Sequence, residues 1–109
     1  MISRMLTAWC LLLATGASSA QTAVVAPELW DRPRSARAVL GEAAIKQSVQ
    51  AYLAQPAARI VIRHPPSRAL EAEELRSWLV ALAVEPQRIS LLGDLKPGAP
   101  LTIEVGPER

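Results

Sequence analysis

The stretch "IVIRHPPSRALEAEELRSWLVALAVEPQRI", residues 60–89, sets the architecture of this chain. It opens with three consecutive β-branched residues, Ile60-Val61-Ile62, between Arg59 and Arg63. Branching at Cβ crowds a helix and suits a pleated surface, so Arg59 to Arg63 reads as a buried strand. Pro65 and Pro66 have no amide to give a ladder, and the strand must stop at His64. Beyond them Ala72, Leu75, Leu79 and Leu82 recur at three- and four-residue spacing, which gathers them on one face of a helix. Ser67 is the expected N-cap, and Glu71, Glu73 and Glu74 lie where the helix dipole favours negative charge. Arg88 to Leu92 reads as a second short strand. A strand–helix–strand step of this length implies parallel pairing through a right-handed crossover.

Working outward, Glu42 to Gln55 has a helical stripe of Ile45, Val49, Tyr52 and Leu53, stopped by Pro56. Val39-Leu40-Gly41 either ends a short strand or opens a helix. Downstream, Gly93-Asp94 and Lys96 to Pro100 are turn material. Leu101 to Val105 is the last strand. The fold class expected is α+β: a small mixed sheet with two helices packed on one face, in a βαβαβ-type order. Residues 1–20 are a leader, 21–38 a flexible N-terminal arm, 39–105 the α/β domain and 106–109 a tail.

The leader reads as a cleaved secretory signal. Arg4 supplies the positive start, Met5 to Thr15 are mostly apolar, and Ser18-Ser19-Ala20 are small residues at the cleavage positions. That run is too short for a membrane span, so no stable anchor is expected after cleavage. Cys10, the chain's one cysteine, falls within the leader, so disulfide and thiol chemistry are not expected in the mature protein. Location in the periplasm follows. What remains is one small domain, burying roughly 60–68% of its unfolded surface. With no Phe, its core is aliphatic. Twelve Lys and Arg face ten Asp and Glu over the whole chain. A balance this even offers no ground for nucleic acid or an anionic membrane as partner.

Tyr52-Leu53-Ala54-Gln55-Pro56 leads into Ile60-Val61-Ile62-Arg63-His64. The helix then offers Ala72-Glu73-Glu74-Leu75-Arg76-Ser77-Trp78-Leu79, and Ala83-Val84-Glu85-Pro86-Gln87-Arg88-Ile89 with Gly93 follows. Over residues 42–105 this order resembles the C-terminal domain of outer-membrane protein A, the OmpA-like family of periplasmic peptidoglycan-binding modules, in a reduced form. In that family a strand runs into Gly-His-Thr-Asp, and the next helix carries Leu-Ser-x-x-Arg-Ala-x-x-Val-x-x-Tyr-Leu. The resemblance implies a site in which an Asp and an Arg hold the charged end of a diaminopimelate stem peptide. Here those positions are Pro66 and Glu71. One charge is lost and the other reversed, and a glutamate cannot make a guanidinium–carboxylate contact. The strand–helix loop is also shorter, and no Asn-Arg-Arg precedes the last strand.

Other candidates are weighed on their chemistry. His64 is a ligand or general base only if a partner lies within hydrogen-bond reach; otherwise it is structural. Ser67 has nothing near it in sequence to activate it as a nucleophile. Glu71 to Glu74 lack the spread of oxygen ligands that calcium needs. Arg32, Arg34 and Arg37 beside Trp30 form a basic cluster suited to phosphate or a glycan carboxylate, or else a solvated arm with Trp30 docked on the core. Trp78 is a core-edge residue or a partner anchor. The expectation is a non-enzymatic exported interaction module without cofactor or metal, which binds a cell-envelope protein through its sheet edge or arginine arm. The alternative is a peptidoglycan or glycan binder with a rebuilt site. A small hydrolase lacks a nucleophile–base set.

Overall fold

The computed structural model describes residues 20–107. Four strands, β1 Gln21–Val24, β2 Ala58–Arg63, β3 Ile89–Leu92 and β4 Thr102–Pro107, form one mixed sheet in the order β1-β4-β2-β3. β2 and β3 are parallel, with Ile60 opposite Ile89. β4 is antiparallel to both neighbours, placing Ile103 opposite Ile62 on one side and opposite Ala23 on the other. Three helices complete the domain: α1 Ala36–Leu40, α2 Ala43–Leu53 and α3 Ala69–Ala81. The fold is α+β, and α3 is the crossover joining the parallel pair.

Alternation within the strands explains the layering. Ala58, Ile60 and Ile62 of β2 and Ile103 and Val105 of β4 are fully buried, while Arg59, Val61, Arg63, Thr102 and Glu104 between them are not. Period two puts these sets on opposite faces, and the helices cover the first. α3 buries Ala72, Leu75 and Leu79 as its spacing predicts. α2 departs from expectation. It buries Ala44, Ile45, Ser48 and Ala51, leaves Val49 and Tyr52 half-buried, and exposes 62% of Leu53. Small residues at the contact let the helix backbone approach the sheet, so its buried face turns toward Ala and Ser and away from Leu53.

The segment read as a flexible arm is built into the domain. Gln21–Val24 is an edge strand, and Val25 and Leu29 are in the core. Pro27–Asp31 is a 3₁₀ turn. Residues 28–40 form no strand: Ser35 caps α1, its Oγ accepting from the Ala38 amide at 3.2 Å. Ser67, the cap expected for α3, instead lies in a 3₁₀ turn, Pro66–Arg68, and no side chain caps the helix at Arg68. Proline fixes φ near the helical value and lacks an amide that would need capping, so Pro66 can start the turn that feeds α3. Pro86–Arg88 likewise forms a 3₁₀ turn and delays β3 to Ile89. β4 runs to Pro107, so Gly106 and Pro107 pair with Arg59 and Ala58 and are not tail.

α3 closes with a Schellman arrangement. The Val84 amide donates to the Leu79 carbonyl at 3.0 Å and the Ala83 amide to the Val80 carbonyl at 3.1 Å. Ala83 sits at φ 85°, the left-handed position that glycine usually takes. Val84, 1% exposed, drives this turn into the core. The signal-peptide reading, with Cys10, lies outside the described residues except at Ala20. Among the described residues no helix is long and apolar enough to cross a membrane.

Candidate functional site

His64 follows β2 directly and is 7% exposed. Its amide donates to the Leu92 carbonyl at 3.0 Å and its carbonyl accepts from the Leu95 amide at 3.2 Å. Its Nδ1 lies 2.7 Å from the Pro65 carbonyl. A carbonyl only accepts, so Nδ1 carries the proton in this contact. Gly93 lies against the ring; a methyl group there would come within 3.1 Å of Cε1. His64 thus stitches the end of β2 to the turn after β3. Among the described residues no group of three His, Cys, Asp or Glu could hold a metal ion.

Next to it, Arg63 projects onto the sheet face opposite the helices. Its Nη2 donates to Asp94 Oδ2 and its Nη1 to Glu104 Oε2, each at 2.8 Å. The hydrogen bond from Arg63 holds the Asp94 carboxyl below its ordinary range, and the two carboxylates raise the guanidinium. Arg63 is thus neutralised in place.

The arginine cluster is divided by its surroundings. Arg34 makes two parallel bonds to Glu74, at 2.8 and 2.9 Å, and donates from Nη1 to the carbonyls of Trp30 and Arg32. Its guanidinium lies 5.5 Å from the centre of the Trp30 ring, within cation–π range. Trp78 Nε1 donates to the same Glu74 at 3.2 Å. Hydrogen bonding from Arg34 and then Trp78 lowers the Glu74 carboxyl against the opposing effect of burial. Arg34 and Trp78, both site candidates in the sequence, are therefore joined through one carboxylate as a structural clasp. Arg32 and Arg37 are exposed.

At the positions matching the OmpA-like site, Pro66 is exposed at the start of its turn and Glu71 accepts from Arg68 Nη1 at 3.3 Å. Glu71 is therefore paired with a neighbour at its own helix entry.

Sequence reasoning missed the β1 edge and the face it borders. A shallow depression on the uncovered sheet face is lined by Ala20, Arg59, Val61, Glu104, Gly106 and Pro107. A second open trough runs beside β1, between Gln21 and the Gln47, Gln50 and Ala51 positions of α2. The only signal available was the run of uncharged residues from Ala20 to Pro27. No protein-family model, curated protein or solved structure matches this chain.

Proposed function

We propose that this chain is an exported, non-enzymatic interaction module of the cell envelope, on a reduced OmpA-like frame, whose partner is another protein. The observation carrying this is the one-sided layering. Among the described residues every helix packs on one face of the sheet, while the other face keeps Val24 and Leu92 exposed at 56% and 43% and borders the edge strand β1. The Arg63 charge on this face is matched by Asp94 and Glu104, and on the helix side Arg34 is matched by Glu74. Surface of this kind, apolar and backbone groups with the charges already satisfied, suits a protein partner better than a small charged ligand. The element order over residues 42–105, with a proline-marked turn before β2 and a glycine after β3, supports the OmpA-like frame. Fold likeness alone assigns no ligand.

Glu71 in place of arginine and Pro66 in place of aspartate speak against peptidoglycan as the ligand. Incubation with purified diaminopimelate-type sacculi at physiological salt tests this. The protein should stay in the supernatant, while affinity capture from envelope extract should return a protein partner. Sedimentation with sacculi at micromolar protein, lost in Glu71→Ala, would replace this reading with a rebuilt glycan site.

A further inference from the structure

The β1 edge shows which backbone groups face outward. Val25 donates to the Leu101 carbonyl at 2.9 Å, and hydrogen-bonded pairs alternate along an antiparallel ladder. Val25, Ala23 and Gln21 therefore bond to β4, and the N–H and C=O groups of Thr22 and Val24 point away from the sheet. The next outward amide, Ala26, is already taken by Glu42 Oε2 at 2.9 Å, which closes that end of the edge. Among the described residues these four backbone groups in a row have no partner.

Natural sheets guard such edges with charge, proline or a bulge. β1 has none: no charged residue lies between Ala20 and Pro27, and its register with β4 is unbroken. The opposite edge, β3, is bracketed by charge, with Arg88 before it bonded to the Ala58 carbonyl and Asp94 after it paired to Arg63. The trough beside β1 is lined by the amide side chains of Gln21, Gln47 and Gln50 with Ala51. Each amide both donates and accepts, and none of these four lining residues has a charged side chain to pair with an ionised one.

We propose that the β1 edge and the α2 trough form a strand-addition groove for an extended, uncharged polar segment of another protein. The backbone of that segment would bond to Thr22 and Val24. Its alternate Ser, Thr, Asn or Gln side chains would meet the three glutamines. This rests on the reading of the chain as a protein-binding module and names the surface used.

The test pans the purified exported protein against a phage-displayed random peptide library. Enriched peptides should be uncharged and polar at alternate positions. Their affinity should fall at least tenfold in Val24→Pro, which removes only an outward donor and costs no ladder bond. Unchanged urea midpoints identify a folded variant. In the unaltered protein, bound peptide should slow hydrogen exchange at the Thr22 and Val24 amides, a readout that stands even where the proline variant does not fold. Failure to enrich peptides, or binding without protection of those amides, overturns the groove. A dimer in light scattering that Val24→Pro dissolves assigns the edge to a second copy and overturns the occupant named here. A partner captured from envelope extract equally well by Val24→Pro leaves the interaction module standing and removes the groove.

Discussion

Arg34 grips Glu74 through two parallel hydrogen bonds, Nε to Oε2 at 2.8 Å and Nη2 to Oε1 at 2.9 Å, and so ties the segment before α1 to the middle of α3. Planar bidentate geometry is specific to guanidinium. Arg34→Lys should therefore lower the melting temperature nearly as far as Arg34→Ala, and both should expose Trp30, read as a red shift in its fluorescence. Full recovery of stability in the lysine variant would mean that charge alone holds the segment.

Acid should loosen the same clasp. Hydrogen bonding from Arg34 holds Glu74 below its ordinary value of 4.5, and bonding from Arg63 holds Asp94 below 3.8. A carboxyl depressed in the folded state contributes stability that is present above its unfolded value and is lost as pH falls through the folded one. Urea midpoints should thus be flat with respect to these groups from pH 7 to about 5, then decline below roughly pH 4.5. Glu74→Gln should flatten part of that decline. An acid limb unchanged in this variant would exclude Glu74 as a contributor.

Leu79 is completely buried and Glu73, on the outer face of the same helix, is exposed. Leu79→Ala should cost about 2–5 kcal/mol through lost burial and the cavity left behind. Glu73→Ala should stay within about 0.5 kcal/mol, as surface changes do. Chemical denaturation of both variants measures the contrast, and near-equal values would reverse the assignment of the helix faces.

At the end of α3 the backbone asks for glycine and the sequence supplies alanine. An L residue in the left-handed region costs roughly 1–2 kcal/mol, so Ala83→Gly should raise stability by about 1 kcal/mol. Gly98, at φ 86° with open space around it, should show the opposite sign in Gly98→Ala. Gly93→Ala should destabilise for a different reason, since its methyl group must displace a buried, pinned His64 ring. Thermal melts rank the three.

In the stem-peptide positions, Pro66→Asp with Glu71→Arg should restore the family's residue types without restoring binding to sacculi. The new arginine would stand one helical turn from Arg68, the present partner of Glu71, and like charges at that spacing repel. Strong sedimentation of the double variant with sacculi would show that the loop already places both side chains correctly.

The stretch from Ile60 to Ile89 was legible because each element carries its own period: β-branched residues for β2, leucines at three and four for α3. β1 was not, because Gln-Thr-Ala-Val has a weak apolar alternation and its pairing partner is β4, at the far end of the chain. α1 has five residues, too few for a period to emerge. The α2 face was misjudged because hydrophobicity favours Leu53, whereas close approach to a sheet favours Ala and Ser. The arginines were visible as a cluster, yet nothing local reveals that Arg34 reaches Glu74 while Arg32 and Arg37 stay exposed. For His64 the sequence offered only the lack of a companion histidine or cysteine, and nothing local reveals its bonds to Leu92 and Leu95.

β4, the last of the four described strands, lies between β1 and β2. Gly106 meets Ala20 across this seam, where an added methyl would lie 3.3 Å from the Ala20 Cβ. The two ends of the domain are therefore neighbours, and the polypeptide closes as a loop. We expect the domain to tolerate new termini cut elsewhere, once a short linker joins residue 107 to residue 21.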